Sequence, residues 1–373
     1  MAGIYIHIPF CKQACNYCNF YFSTSLHFKD KLIEALLKEI DLQKNYFKGE
    51  TVSSIYFGGG TPSILSSNEI QKILTKIQET FEIDKAPEIT LEGNPDDLNI
   101  KKLHALYEIG VNRLSIGTQS FIKEDLLFMN RVHSAKEAEQ CIKDAGKVGF
   151  RDLSIDLIYG APSQSSSSWK KNLDILQHLE INHLSSYALT VEENTPLYHL
   201  IRKGKYPAID ENLAAIHFEI LQEWAYKHNW NHYEISNLSR GDNYSKHNTA
   251  YWQGKSYLGL GPAAHSFNGT SRQWNLANIK KYIDGINFNQ VPFELEILSK
   301  SNQFNETIMT GLRTIWGVDK VLLAQLFPEY YPNFEKQVEQ LNPQWVKNTN
   351  NKLCLSDQGR FYADGIAADL FVE

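Results

Sequence analysis

The fold of this chain is decided by residues 4–18, which read Ile4-Tyr5-Ile6-His7-Ile8-Pro9-Phe10-Cys11-Lys12-Gln13-Ala14-Cys15-Asn16-Tyr17-Cys18. The first part is rich in β-branched and aromatic residues and predicts a buried strand over Gly3–Ile8. Three of the five cysteines follow it within eight residues. A disulfide framework would spread its cysteines along the chain and favour an even number, so this cluster predicts a metal site in a reduced compartment.

The spacing Cys11-x3-Cys15-x2-Cys18 leaves two kinds of metal site open. Three thiolates on one loop can hold three irons of a four-iron cluster and leave the fourth iron free to bind a small molecule. Zinc is the rival, but a structural zinc site needs four ligands and usually takes its cysteines in separated pairs. His7 or His27 could supply a fourth ligand, although neither has the usual spacing.

Downstream of the cysteines, β-rich runs alternate with helical runs. The predicted strands are Gly3–Ile8, Ser53–Phe57, Glu88–Glu92, Asn112–Ile116, Asp152–Ile158 and His183–Leu189. Six successive strand–helix units predict an α/β fold with a parallel sheet and right-handed crossovers, either an open doubly wound sheet or a complete or partial barrel. In all these architectures the chemistry lies at the carboxyl ends of the strands. Polar or glycine-rich clusters occur there at residues 11–18, 58–61, 92–95, 117–119 and 156.

The second half of the chain predicts a different organisation. From about residue 195 the strand–helix alternation weakens, and from about 295 the chain has the pattern of a small separate module. We therefore predict two domains, residues 1–294 and residues 295–373. Helices followed by a hairpin over 345–355 resemble a winged helix, but the module is rich in Asp and Glu, which argues against DNA binding.

Composition excludes several classes of function. The chain has 37 Lys and Arg against 43 Asp and Glu, a formal net charge of −6, which disfavours nucleic acid as a partner. No apolar run approaches the roughly 20 residues that a membrane helix needs. The first residues lack the basic head and long apolar stretch of a signal peptide, so we expect a cytoplasmic protein with no integral membrane segment.

A set of ordered motifs resembles a known family. The three-cysteine motif resembles the radical S-adenosylmethionine (SAM) superfamily, and residues 5–11 narrow this to the group around oxygen-independent coproporphyrinogen III oxidase. The further matches are residues 57–63 (FGGGTPS), 92–95 (EGNP), 115–120 (SIGTQS), 130–133 (NRVH), 156–160 (DLIYG) and the last helix over 359–371. The resemblance implies a partial (β/α)6 barrel with a small C-terminal domain of helices and a hairpin.

The resemblance also implies cofactors and their residues. Cys11, Cys15 and Cys18 would bind a [4Fe-4S] cluster, and SAM would chelate its open iron. The residues implied for SAM are Gly59, Gly60 and Thr61 at its amino group, Arg131 at its carboxylate, Gln119 and Asp156 at its ribose, and Glu92 and Tyr5 in the same pocket. Without the resemblance each of these is ambiguous, since Arg131 could form a surface ion pair and the glycines a simple turn.

Two departures point to a sister branch of haem chaperones. The oxidase is known for a further cysteine two residues after the third, where this chain has Phe20. The oxidase also has an extension before the first strand, whereas this sequence enters that strand almost at once. Residues 247–252, His-Asn-Thr-Ala-Tyr-Trp, resemble the branch's H-N-x-x-Y-W haem motif and imply that His247 ligates haem iron. By sequence alone such a histidine is more often a packed core residue. His232 and His265 are weaker candidates.

The resemblance therefore implies a haem chaperone that binds haem, a [4Fe-4S] cluster and SAM, and transfers haem to acceptor proteins. Two alternatives stay open: a radical SAM enzyme acting on a tetrapyrrole, and a structural zinc or iron–sulfur protein that binds neither SAM nor haem. The sequence does not name the acceptor, and it leaves both homodimer formation and peripheral membrane contact open.

Overall fold

A computed structural model describes residues 2–373 of the chain. Its first half alternates strands and helices, as the apolar periodicity predicts. The elements are β1 (Ala2–Ile8), α1 (Lys29–Leu42), β2 (Val52–Gly59), α2 (Ser67–Thr80), β3 (Ile83–Gly93), α3 (Ile100–Glu108), β4 (Arg113–Gln119), α4 (Lys123–Phe128), α5 (Ala135–Val148), β5 (Asp152–Tyr159), α6 (Ser166–Gln177) and β6 (His183–Ala188). Serine caps begin three of these helices, at Ser66, Ser134 and Ser165.

Strands β1 to β6 lie side by side in chain order, and every neighbouring pair is parallel. An open doubly wound sheet reverses its strand order at a switch point, whereas this order never reverses, which is the arrangement of a barrel. The predicted α/β fold with a partial (β/α)6 barrel is therefore confirmed. Each strand places apolar residues outward against the helices, as Ile4, Ile6 and Ile8 do, and polar residues such as Tyr5 and His7 inward.

The middle of the chain extends this sheet at both edges. It forms α7 (Pro196–Arg202), α8 (Glu211–Lys227), β7 (Trp230–Glu234), β8 (Asn237–Arg240), α9 (Lys246–Trp252), β9 (Tyr257–Leu260), β10 (His265–Phe267), β11 (Ser271–Asn275), α10 (Ile279–Asn287) and β12 (Phe293–Ile297). The full order is β12-β11-β10-β9-β1-β2-β3-β4-β5-β6-β8-β7. Most of these strands could not be predicted from the sequence, because they are only three to five residues long, too short for a clear alternation.

A buried carboxyl group fixes this extension to the barrel. Glu39 on α1 accepts hydrogen bonds from the Tyr282 hydroxyl at 2.5 Å, the Gly261 amide at 2.7 Å and the Asn275 side-chain amide at 2.7 Å. Burial raises the pKa of Glu39 to about 7, although these three donors lower it. One side chain therefore joins α1 to three separate segments of the extension.

The C-terminal elements have their own apolar core, around Phe304, Phe334 and Leu353. They are α11 (Lys300–Leu312), β13 (Val318–Asp319), α12 (Lys320–Leu326), α13 (Tyr331–Gln340), β14 (Val346–Asn348), β15 (Lys352–Leu355) and α14 (Ala363–Asp369). Strands β13, β15 and β14 form a separate three-stranded sheet. The predicted boundary at residue 294 falls within β12, and it stays a prediction. Among residues 2–373, no helix combines the length and apolar character needed to span a membrane.

Candidate functional site

The loop that follows β1 carries Cys11, Cys15 and Cys18, and all three cysteines are partly exposed and free of disulfides. The Thr61 hydroxyl, at the end of β2, donates a hydrogen bond to the Cys11 sulfur at 3.3 Å. Burial raises the pKa of the Cys11 thiol, and it raises that of Cys18 to about 11. Metal binding by these thiols must therefore displace protons. Within residues 2–373, no three Cys, His, Asp or Glu side chains meet closely enough to hold one metal ion.

A turn that is distant in sequence holds the cysteine loop in place. The Asn16 side chain donates to the carbonyl of Phe128 at 2.8 Å, and the Asn130 side chain donates to the carbonyl of Ala14 at 2.8 Å. Asn130 adopts a φ of 57°, in the left-handed region that asparagine tolerates better than most residues. Neither Asn16 nor Asn130 was predicted as a site residue, although Asn16 lies between Cys15 and Cys18 and Asn130 begins the NRVH motif.

Arg131 lies directly beside the cysteine loop. Its Nη1 donates to the Cys15 sulfur at 3.3 Å, and its Nη2 donates to Asn94 Oδ1 and to the Gly117 carbonyl, each at 2.7 Å. Its Nε is buried and has no hydrogen-bond partner among the described residues. A buried N–H of a cation without an acceptor is costly, so this donor is suited to an anionic group bound next to the cysteines.

Two further carboxyl groups line the interior of the barrel. Glu92 accepts a hydrogen bond from the Tyr56 hydroxyl at 2.8 Å, and Asp156 accepts one from the Ser115 hydroxyl at 3.0 Å. Burial raises the pKa of Glu92 to about 8, and it also raises the pKa of Asp156. The Tyr5 ring stacks on Tyr56 with 6.0 Å between centroids, so Tyr5 lies in the same layer as Glu92.

The glycine-rich end of β2 packs tightly against the start of the cysteine loop. The Gly60 amide donates to the Ile8 carbonyl at 2.9 Å, and a Cβ at Gly60 would lie 2.8 Å from the Phe10 carbonyl oxygen. Gly59 has a φ of 106°. Gln119, at the end of β4, has a φ of 64°, a strained conformation of the kind that clusters at functional sites. The carboxyl ends of β1 and β2 therefore meet as predicted, and Arg131 links Gly117 near the end of β4 to the cysteine loop.

Comparison with known proteins gives the family of this chain. Residues 5–176 match the family model of the Radical SAM superfamily. The chain is 32% identical to "Heme chaperone HemW" of Bacillus subtilis (strain 168), an alignment that covers 98% of each chain. It is 31% identical to the protein of the same name from Lactococcus lactis, over 95% of this chain and 93% of the relative. The chain belongs to the HemW family of radical SAM proteins.

A solved structure supports the fold of this HemW-family chain. It resembles coproporphyrinogen III oxidase (HemN) from Escherichia coli with a TM-score of 0.86, covering all of this chain and 90% of the oxidase. Sequence identity to the oxidase is 22%, so this likeness concerns the fold alone.

The H-N-x-x-Y-W motif of this HemW-family chain lies at the opposite end of the barrel from the cysteines. His247, on α9, packs beside Gly3 and Ser54 near the amino ends of β1 and β2. Strand β1 runs from that end to the cysteine loop, a distance of roughly 20 Å at about 3.3 Å per residue. The structure therefore brings the cysteines, Thr61 and Arg131 together. His247 lies apart from these residues, but its ring stacks on Tyr56 and Tyr5 with 5.0 Å and 6.5 Å between centroids.

Both ring nitrogens of His247 already have partners. Nδ1 lies 2.8 Å from the Ser54 hydroxyl, and Nε2 lies 2.7 Å from the Tyr251 hydroxyl. The side chain is fully buried, and burial together with Arg113 lowers the pKa of His247 to about 3. Of the weaker candidates, His232 is buried with Nε2 at 2.9 Å from the Ile235 carbonyl, whereas His265 is exposed and stacks on Trp274.

Proposed function

We propose that this protein is a haem chaperone that binds haem and transfers it to acceptor proteins. The observation that carries this proposal is the similarity to proteins named haem chaperone HemW, because it extends over 98% of the chain rather than over the radical SAM region alone. The proposal includes a cytoplasmic location, where the five free cysteines would stay reduced.

The cysteine loop fits the two cofactors that membership of the Radical SAM superfamily implies, a [4Fe-4S] cluster and SAM. Cys11, Cys15 and Cys18 would hold a [4Fe-4S] cluster, because three thiols on one short loop supply three of the four iron ligands. When bound, the cluster supplies an open iron for SAM and an electron for its reductive cleavage. Arg131 would offer its unpaired Nε–H to the SAM carboxylate, since its other nitrogens already have acceptors.

The remaining SAM residues keep the roles that the motifs imply. Gly59, Gly60 and Thr61 would present backbone atoms to the amino group of SAM at the end of β2. Gln119 and Asp156 would bind the ribose hydroxyls. Glu92 and Tyr5 would line the same pocket from inside the barrel. The nearness of these groups to the cysteine loop supports the assignment, because SAM must reach the cluster and the barrel interior at once.

For haem, we keep His247 as the proposed axial ligand, with one physical condition. Its Nε2 contacts the Tyr251 hydroxyl and its Nδ1 contacts the Ser54 hydroxyl, so iron can bind only after one of these contacts opens. Helix α9 is only seven residues long, and a change in its position would expose the ring.

A second candidate function is a radical SAM enzyme acting on a tetrapyrrole. The SAM site favours it, because Arg131 beside the cysteine loop and the interior carboxyl groups Glu92 and Asp156 would serve SAM equally in such an enzyme. Phe20, at the position where the oxidase is known for a further cysteine, argues against coproporphyrinogen decarboxylation.

One experiment separates these functions. Anaerobically reconstituted protein is titrated with haem and followed by absorption spectroscopy, and SAM cleavage is assayed on the same sample. Stoichiometric haem binding with little 5′-deoxyadenosine is the expected result. Brisk SAM cleavage on addition of a porphyrinogen, without specific haem binding, would establish the enzyme instead. Binding of neither haem nor SAM would leave a structural iron–sulfur or zinc protein, which iron and zinc analysis would identify.

A further inference from the structure

Strand β12 forms an open edge of the large sheet. It pairs with β11 on one side, and within residues 2–373 no strand lies on its other side. All five of its residues are exposed, unlike those of any other strand in that sheet. Natural proteins usually protect such an edge with charged side chains, proline, a bulge or a covering segment. Here the register with β11 is regular from Phe293 to Ile297, and the charged side chains of the strand are Glu294 and Glu296.

The two faces of this edge strand differ sharply. Phe293, Leu295 and Ile297 lie on one face and are 43%, 56% and 78% exposed. Glu294 and Glu296 lie on the other face. Neither glutamate forms an ion pair with the described part of the chain; their contacts are with the Trp274 indole N–H at 3.2 Å and the Asn302 amide at 3.5 Å.

The hydrogen-bond pattern shows which backbone groups of β12 are free. The Leu276 amide bonds to the Pro292 carbonyl, and the Leu298 amide bonds to the Thr270 carbonyl. In an antiparallel ladder, hydrogen-bonded positions recur at every second residue of a strand. Because Pro292 and Leu298 are bonded in this way, Glu294 and Glu296 between them also direct their backbone groups toward β11. The N–H and C=O groups of Phe293, Leu295 and Ile297 therefore point away from the sheet, available to an added strand.

We propose that β12 is a docking edge for an extended segment of another protein in which basic and apolar residues alternate. An added antiparallel strand would bond to the three free backbone positions and cover their apolar side chains. Its residues opposite Glu294 and Glu296 would occupy the non-hydrogen-bonded positions, where side chains approach most closely and opposite charges attract. This surface is separate from the cysteine site and independent of the proposed haem function.

Charge argues against a second copy of this chain as the occupant. Self-pairing in the register that overlaps the whole strand places Leu295 opposite Leu295 of the second copy. Glu294 of each copy then lies directly opposite Glu296 of the other copy. Like charges directly opposite each other are destabilising.

The test uses a short fluorescent peptide in which valine and lysine alternate, with binding measured by fluorescence anisotropy. Two control peptides have matched length: one alternates valine and glutamate, and one keeps the lysines but carries N-methyl groups on the valines, which block strand addition. We expect the parent to bind the lysine peptide about tenfold more tightly than either control, from paired charges and backbone bonds together.

Two variants test the same surface. Charge reversal in E294K/E296K is expected to transfer the preference to the glutamate peptide, a gain that a misfolded protein cannot give. E329K/E339K, which makes the same charge change on exposed positions of the C-terminal module, is expected to keep the parent's preference. Leu295→Pro removes an outward N–H and is expected to weaken binding several-fold without removing a bond to β11.

Three results would overturn the proposal. The first is equal affinity for the lysine peptide and its N-methylated control, because binding would then depend on charge attraction and not on backbone hydrogen bonds. The second is an unchanged preference in E294K/E296K. The third is a dimer of the parent that dissociates in Leu295→Pro by sedimentation velocity, which would assign the edge to a second copy.

Discussion

Arg131 donates a hydrogen bond to the sulfur of Cys15 across 3.3 Å, although the two residues are 116 positions apart in the chain. Through the same guanidinium, the cysteine loop is linked to Asn94 after β3 and to Gly117 in β4. The side chain that we propose for SAM is thus also part of the support of the cluster loop.

Replacement of Arg131 by lysine should weaken SAM binding about tenfold or more, because lysine cannot keep the bonds to Asn94 and Cys15 and still offer a donor to the carboxylate. Equilibrium dialysis of SAM against the reconstituted protein measures this, with iron content determined on the same sample. Arg202→Lys, on the exposed face of α7, is the matched control. An unchanged SAM affinity with a full complement of iron would refute the assignment.

Substitution of Cys18 by serine should remove the cluster, since serine is a poor iron ligand and only two thiols of the loop remain. Iron analysis and the visible charge-transfer absorption measure the loss. Cys141→Ser is the control: this cysteine is buried on α5, away from the loop, and the variant should keep its iron. Parent levels of cluster in Cys18→Ser would contradict the proposed ligand set.

Replacement of Tyr251 by phenylalanine should raise haem affinity several-fold. The change keeps the ring but removes the hydroxyl that lies 2.7 Å from His247 Nε2, so one contact less opposes the opening that exposes this nitrogen to iron. His247→Ala should abolish specific binding, and haem titration with absorption spectroscopy measures both. If both variants bind haem as the parent does, the ligand lies elsewhere in the protein.

Glu92 should make the protein without cofactors less stable as pH rises. Its folded-state pKa is about 8, raised first by burial, whereas an unfolded glutamate has a pKa of about 4.3. Between these values the unfolded state releases a proton that the folded state retains, so stability falls with increasing pH across this window. Glu92→Gln should flatten the dependence of Tm on pH there, whereas the exposed control Glu108→Gln should leave it unchanged. If the Tm of Glu92→Gln changed with pH in the same way as that of the parent, this would argue against a raised pKa of Glu92.

Truncation of Glu39 to alanine should lower the free energy of unfolding by about 3 kcal/mol, because it leaves buried donors on Tyr282, Gly261 and Asn275 without an acceptor. Urea unfolding measures the change. Glu34→Ala, on the exposed face of the same helix, should stay within about 0.5 kcal/mol of the parent. Equal midpoints for the two variants would mean that Glu39 does not anchor the extension.

Much of the barrel could be predicted from the sequence, because its strands and helices have clear apolar periodicities and serine caps. The extension could not be predicted in this way. Strand β9 obtains its pairing from β1, with Tyr257 opposite Gly3, and its four residues carry too little pattern to identify it. The motif around His247 was visible, and the packing of such a histidine in the core was the expectation from the residues alone. Its partner Ser54, 193 positions away in the chain, could not be predicted.

The sequence by itself determined the strand–helix alternation and the placement of three cysteines on one loop, since both depend on residues that are close together along the chain. The tertiary structure alone decided that Asn130 and Arg131 hold that loop, and that His247 lies at the far end of the barrel. The physical reason is the curvature of the sheet. It brings side chains from distant strands into one polar interior, and no local pattern specifies which of them meet.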